Sequence, residues 1–290
     1  MMDAKTRIER ALTEALDQGQ VSECPPRLAE AVRYAVFPGG ARLRPMLSLA
    51  VSGACGEDDS ALADAAAAAI ELMHCASLVH DDLPCFDDAA MRRGKPTIHK
   101  AYDERIAVLT GDALMVLAFQ TLARHAVSNP ARLGPLTLAV GRGVGVPKGI
   151  IPGQAWECEP GVTLSEYQRE KTGALFAAAT EAGAAAAGVE AGPWRLLGER
   201  LGEAYQVADD IRDVIANEDE LGKPTGQDEA LDRPSAVREL GLSGAKQRLE
   251  TLIESALASI PDCPGASELK SYLMNQSRRF FPGELGKHAA

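Results

Sequence analysis

The sequence predicts an all-α fold, a single large helical bundle. Alanine and leucine dominate while β-branched residues are sparse, and alternation with period two is hard to find. Proline and glycine punctuate stretches of about ten to twenty-odd residues, the length of ordinary helices. Asp58-Asp59-Ser60 opens a long apolar helix that runs without glycine or proline to His80. Thr163-Leu164-Ser165-Glu166 reads as a capping box, starting a helix that continues to about Ala187. A further helix runs from Pro193 to about Asn217. Pro38-Gly39-Gly40, Gly94-Lys95-Pro96, Pro147, Pro160-Gly161 and Gly222-Lys223-Pro224 fall in the gaps. No linker-like stretch divides the chain, so residues 1–290 are expected to form one domain. Ala61–Val79 and Gly173–Val189 are apolar nearly all round, as suits a bundle interior or a partner-facing surface.

Composition narrows the function classes. Hydrophobic residues at 46% and charged residues at 24% describe a globular chain rather than a disordered one. No uninterrupted apolar run approaches the roughly 20 residues of a membrane span, so none is expected. The N-terminus, Met1-Met2-Asp3-Ala4-Lys5-Thr6-Arg7, is charged and lacks a secretory apolar region. Thirty basic against 41 acidic residues give a net charge of −11, which argues against a broad nucleic-acid surface. Cys24, Cys55, Cys75, Cys85, Cys158 and Cys263 are scattered without a C-x-x-C pair, which argues against a disulfide scaffold and a zinc site. Reduced thiols in the cytoplasm are the expectation.

The acids concentrate in two boxes. The first is His80-Asp81-Asp82-Leu83-Pro84-Cys85-Phe86-Asp87-Asp88, followed by Arg92-Arg93. The second is Gln206-Val207-Ala208-Asp209-Asp210-Ile211-Arg212-Asp213. Each ends a mostly apolar helix, where the backbone dipole already disfavours negative charge. Asp209 and Asp213 share a helix face at i and i+4, while Asp87 must return to Asp81 through a turn after Pro84. Carboxylates at about 4 Å repel by roughly 4 kcal/mol at an effective dielectric of 20, so something positive must compensate. Oxygen-only donors favour magnesium, which binds few carboxylates and completes its shell with water and phosphate. A phosphate ester or a diphosphate is the ligand this pattern predicts. Gly94-Lys95-Pro96-Thr97 and Gly222-Lys223-Pro224-Thr225 trail the two boxes in similar register, an echo that chance explains equally well.

Several motifs, in this order along nearly the whole chain, resemble the trans-isoprenyl diphosphate synthases. They are Gly39-Gly40-Ala41-Arg42-Leu43-Arg44-Pro45, the first box with Arg92-Arg93, Gly111-Asp112, Lys171-Thr172-Gly173, the second box and Gly222-Lys223. The stretch Leu83-Pro84-Cys85-Phe86-Asp87 is most similar to bacterial geranylgeranyl diphosphate synthases of carotenoid pathways. The resemblance implies an isoprenoid-synthase bundle around a central apolar cavity, usually homodimeric. It implies Asp81, Asp87 and Asp209 as principal magnesium ligands, with Asp82, Asp210 and Asp213 binding directly or through water, and about three ions per site. Arg92, Lys171 and Lys223 would contact the allylic diphosphate. Arg44, His74 and Arg93 would bind isopentenyl diphosphate without metal, and Thr172 and Gln206 would stabilise the carbocation. His74 lies seven residues before Asp81, two turns away on the same face. The family commonly has lysine where this chain has Ala41, which leaves open whether Arg42 substitutes, and Arg233 stands where a second lysine often follows the second box.

Product length depends on what stops the growing chain below Asp81. Ser77 is one turn down, Ala76 lies on the flank and Met73 deeper, with Phe86 a competing candidate. In the family an aromatic residue five positions before the box stops farnesyl-type products, and here that residue is the small Ala76. The resemblance therefore implies geranylgeranyl diphosphate as product. Farnesyl diphosphate synthase, a class I terpene cyclase and a non-catalytic regulatory subunit are the alternatives. Cyclases usually replace the second aspartate box, and regulatory subunits tend to lose one or both.

Overall fold

A computed structural model describes residues 3–19, 21–159, 169–215 and 235–277. Among them are twelve α-helices: α1 (Ala4–Gln18), α2 (Pro26–Val36), α3 (Leu43–Ala54), α4 (Ser60–Asp81), α5 (Ile98–Ala101), α6 (Glu104–His125), α7 (Pro130–Val144), α8 (Ile150–Ala155), α9 (Ala174–Ala186), α10 (Arg195–Ile215), α11 (Ala236–Ala258) and α12 (Ala266–Ser277). Side chains that satisfy orphan amides set several starts. Asp59 accepts from the Leu62 amide at α4, Asp103 from Ile106 at α6, and Ser235 from Arg238 at α11. The expected helix from Pro193 begins instead with a 3-10 turn, Gly192–Trp194, before α10. The capping box at 163–166 and the limit at Asn217 lie outside the described residues.

Helix α9 is the hub. All 13 of its residues are buried, and α3, α4, α7 and α10 pack around it. Helix α4 is clasped by α1, α3 and α6, and α11 lies along α10. Small side chains permit this density of contact, because a helix rich in alanine can be surrounded by others at close range. One large apolar core draws on all twelve helices, and a smaller one joins α10 to α11.

Two features depart from the sequence expectation. A two-stranded antiparallel ribbon, β1 (Met91–Arg92) and β2 (Lys95–Pro96), follows the first box, with Arg92 opposite Lys95. Its two-residue loop, Arg93-Gly94, has φ of 52° and 76°, the doubly left-handed loop that tight hairpins prefer. Helix α4 and the segment Glu104–Ser128 are also, by length and composition only, long and apolar enough to cross a membrane, which a search for uninterrupted apolar runs does not register. Of the apolar window in α4, 83% is buried inside the bundle, against 44% for the second segment.

Candidate active site

Helix α4 ends at Asp81, and the chain then turns tightly back. The amides of Leu83, Phe86 and Asp87 donate to the carbonyls of His80, Leu83 and Asp81 at 3.1, 2.9 and 3.0 Å. The return brings Asp87 to Asp81 as the spacing predicts. Glu157, in the 3-10 turn Trp156–Cys158 after α8, joins them, so that Asp81, Asp87 and Glu157 offer oxygens within 4.8 Å of one another. Nothing in the sequence marks Glu157, a single acid far from either box. Asp88 has left-handed φ and turns instead toward Lys100 and His99, at 3.0 and 3.4 Å.

The protein's own cations partly neutralise this cluster. Lys171 Nζ lies 3.2 Å from Asp81 and also contacts Glu157. Arg92 Nε donates to Asp82 at 2.7 Å, and its Nη2 is 3.8 Å from Asp81. Burial pushes the carboxyls of Asp81 and Asp82 above the ordinary range, opposed by Lys171 at Asp81 and by Arg92 at Asp82. Balance against solvent loss therefore still favours further positive charge. A donor set made wholly of carboxylates suits a hard cation such as magnesium, as the sequence argument requires.

The second box meets the first through a single turn. Residues Arg169–Gly173 form a π-helical turn leading into α9, and it aims consecutive side chains at different helices. Lys171 reaches Asp81 at the end of α4, while Thr172 Oγ1 donates to Gln206 Oε1 on α10 at 3.0 Å. Gln206 Nε2 in turn donates to Asp210 at 2.9 Å. Both box-bearing helix ends thus converge on one mouth. Asp209 pairs with Arg212 at 3.2 Å, and Asp213 is half-buried. Asp210 is buried, and its second oxygen accepts the Ala236 amide at 2.7 Å, tethering α11 to α10. The sequence places Asp210 among the acids available to metal; in the fold its two oxygens hold Gln206 and the start of α11.

Arg44, His74 and Arg93 also come together. Arg44 Nη1 and Arg93 Nη2 each lie 3.4 Å from His74 Nε2. Arg44 stacks over Phe176, 4.5 Å from the ring centroid. Burial first, and then the arginines around it, push His74 well below its ordinary range. Arg42 answers the question left by Ala41. Its side chain is fully buried and bound to Glu9, Glu71 and the Val36 carbonyl, so it does not replace the missing lysine. Lys223 and Arg233 lie outside the described residues. Beneath Asp81, Met73 and Ala76 are buried, Ser77 is half-buried and donates to the His74 carbonyl, and Phe86 sits at the turn, 40% exposed.

Comparison with known proteins agrees with this geometry. The pattern of the polyprenyl synthetase family matches residues 25–268. A geranylgeranyl diphosphate synthase of Cereibacter sphaeroides is 55% identical, over 98% of this chain and 99% of its own. A farnesyl diphosphate synthase of Haemophilus influenzae is 39% identical, over 91% and 92%. Among solved structures, a geranyltransferase from Helicobacter pylori, complexed with magnesium and isoprenyl diphosphate, superposes with a TM-score of 0.80 at 31% identity, covering 95% of this chain and 96% of its own.

Proposed function

Because the chain belongs to the polyprenyl synthetase family, we infer that it joins isopentenyl diphosphate to an allylic diphosphate, up to farnesyl diphosphate, giving geranylgeranyl diphosphate and diphosphate. The observation that carries this reading is the contact path from Asp81 through Lys171 and Thr172 to Gln206 and Asp210, which draws two acidic helix ends to one mouth.

Asp81, Asp87, Asp209 and Asp213 would hold magnesium, with Glu157 added to the set from the fold. When bound, magnesium supplies positive charge that stabilises diphosphate as a leaving group. Lys171 and Arg92 release their carboxylate partners and turn to the diphosphate oxygens, which suit an arginine fork and a lysine point charge. The allylic C–O bond then breaks, its electron pair leaving with diphosphate, and a delocalised cation remains. Gln206 and Thr172 present polar oxygens toward that cation. Arg44, His74 and Arg93 hold isopentenyl diphosphate so that its double bond attacks the allylic carbon, forming the new carbon–carbon bond. A proton then passes to the departed diphosphate. The apolar wall below, with Met73 and Ala76, excludes water that would quench the cation.

Small Ala76, together with the higher identity to a geranylgeranyl than to a farnesyl synthase, supports the longer product. Incubation with radiolabelled isopentenyl diphosphate and farnesyl diphosphate, followed by chromatography, tests it: a C20 product is expected, and no elongation of farnesyl diphosphate refutes the reading. A homodimer in the cytoplasm completes the proposal. Val108, Leu109, Val116 and Phe119 form an exposed apolar strip on α6 that suits a second copy. Light scattering that returns a monomer at micromolar concentration contradicts it.

A further inference from the structure

We propose that Arg42 and Glu71 are positioning residues for the isopentenyl diphosphate pocket: their buried ion pair locks the loop from Gly39 to Arg44 so that Arg44 faces His74 and Arg93. The proposal rests on the function inferred above and goes beyond it, since neither residue can reach a diphosphate. Arg42 caps the start of α3 in a left-handed conformation, φ 54° and ψ 34°. A non-glycine residue stays in that region when its surroundings over-determine it. Here they do. Nη1 binds Glu71 at 2.6 Å, Nε binds Glu9 at 2.9 Å, and Nη2 donates to the Val36 carbonyl at 2.9 Å.

An apolar side chain would fill the same space without the cost of burying charge, so the ion pair speaks for a defined loop conformation rather than for stability. The loop rests directly on it. A Cβ at Gly39 would lie 2.0 Å from the Arg42 Cζ, and one at Gly40 would lie 2.9 Å from the Arg93 Cζ. The two glycines therefore lie flat against one structural and one pocket guanidinium. Glu71 stands one turn before His74 on α4, so a single helix face supplies both the anchor of the loop and the imidazole that Arg44 approaches. The hairpin bearing Arg93 is fixed to the end of α2, just ahead of that loop, because Lys95 Nζ donates to the carbonyls of Tyr34 and Phe37. Arg42 and Lys95 thus hold the two segments whose neighbouring residues, Arg44 and Arg93, meet at His74.

Glu71→Gln removes the charge that holds Arg42 while keeping the shape of the side chain. Initial rates are measured with each substrate varied in turn, alongside thermal unfolding. KM for isopentenyl diphosphate is expected to rise about tenfold, with KM for farnesyl diphosphate within about twofold of the parent. Glu71→Asp, which restores the charge, recovers part of that rise. Gly39→Ala, whose added methyl displaces the Arg42 guanidinium, gives the same split and carries the test if Glu71→Gln does not fold. An unchanged KM for isopentenyl diphosphate in the folded variants overturns the proposal. So does a parallel rise for both substrates that tracks lost thermal stability, the signature of a purely structural pair. A parent chain that fails to join the two substrates removes the function reading and the proposal together.

Discussion

Gly153→Ala tests how tightly Lys171, proposed to contact the diphosphate, is placed by its backbone. Gly153 lies in α8, where a Cβ would stand 2.4 Å from the Lys171 amide nitrogen and 2.6 Å from its Cα. Ordinary contact at such a site is 3.4–4 Å, and backbone cannot swing aside as a side-chain tip can. The π-helical turn must therefore retreat by about 1 Å, a displacement that can cost about a hundredfold in rate when it moves a group off its reacting partner. Lys171 Nζ, now 3.2 Å from Asp81, moves with it. A hundredfold corresponds to about 2.7 kcal/mol of transition-state stabilisation. The measurement is kcat/KM for farnesyl diphosphate at saturating isopentenyl diphosphate, with a thermal melt on the same preparation. Overpacking should lower stability by about 1–3 kcal/mol, leaving the chain folded at assay temperature. A variant with melting temperature and kcat/KM both near the parent's would show that the turn yields without displacing the lysine, and the reasoning would fail.

Ala76→Tyr places an aromatic ring on a buried position below Asp81 and should shift the product from C20 to a shorter chain, read by chromatography; an unchanged product would mean the stop lies elsewhere. Glu157→Gln removes one of three clustered carboxylates, so the magnesium concentration for half-maximal activity should rise about tenfold, and an unaltered metal requirement would exclude Glu157 from the site. The raised carboxyls of Asp81 and Asp82 give a pH signature. Groups with a higher pKa folded than unfolded bind more protons in the native state, so the metal-free protein loses stability as pH rises through that raised range. Magnesium and diphosphate together should therefore lift the melting temperature more at about pH 8 than at about pH 5. An equal or larger lift in acid would contradict the assignment.

The legible parts of the fold are those encoded within a few residues. Asp59 as a helix start, the long apolar α4, and the return of Asp87 after Pro84 all follow from local capping, periodicity and turn chemistry. The site's acids were visible for the same reason, since each box is a short contiguous run. Glu157 was not, because what makes it significant is contact with Asp81 and Asp87, far away in sequence. The hairpin at Met91–Pro96 escaped because two residues per strand are too few to show alternation. Arg42 stood inside the binding motif and its sequence position left open whether it substitutes for a lysine at Ala41; the side chain turns into the core, where Glu9 and Glu71 on other helices hold it. Asp210 has a contact that the motif alone does not reveal, the bond from the Ala236 amide, because that amide belongs to a neighbouring helix.

The alanine-lined hub carries a consequence for variation. Helices α4 and α10, which bear the two sets of carboxylates, both pack against α9, so methyl groups act as the spacers that set the distance between the two helices. Enlarging any one of those spacers would prise the jaws apart far from where the ions and substrate are gripped. Divergence among such chains is therefore expected to be freest on the outer helices and slowest along this inner rod, whose residues are all buried.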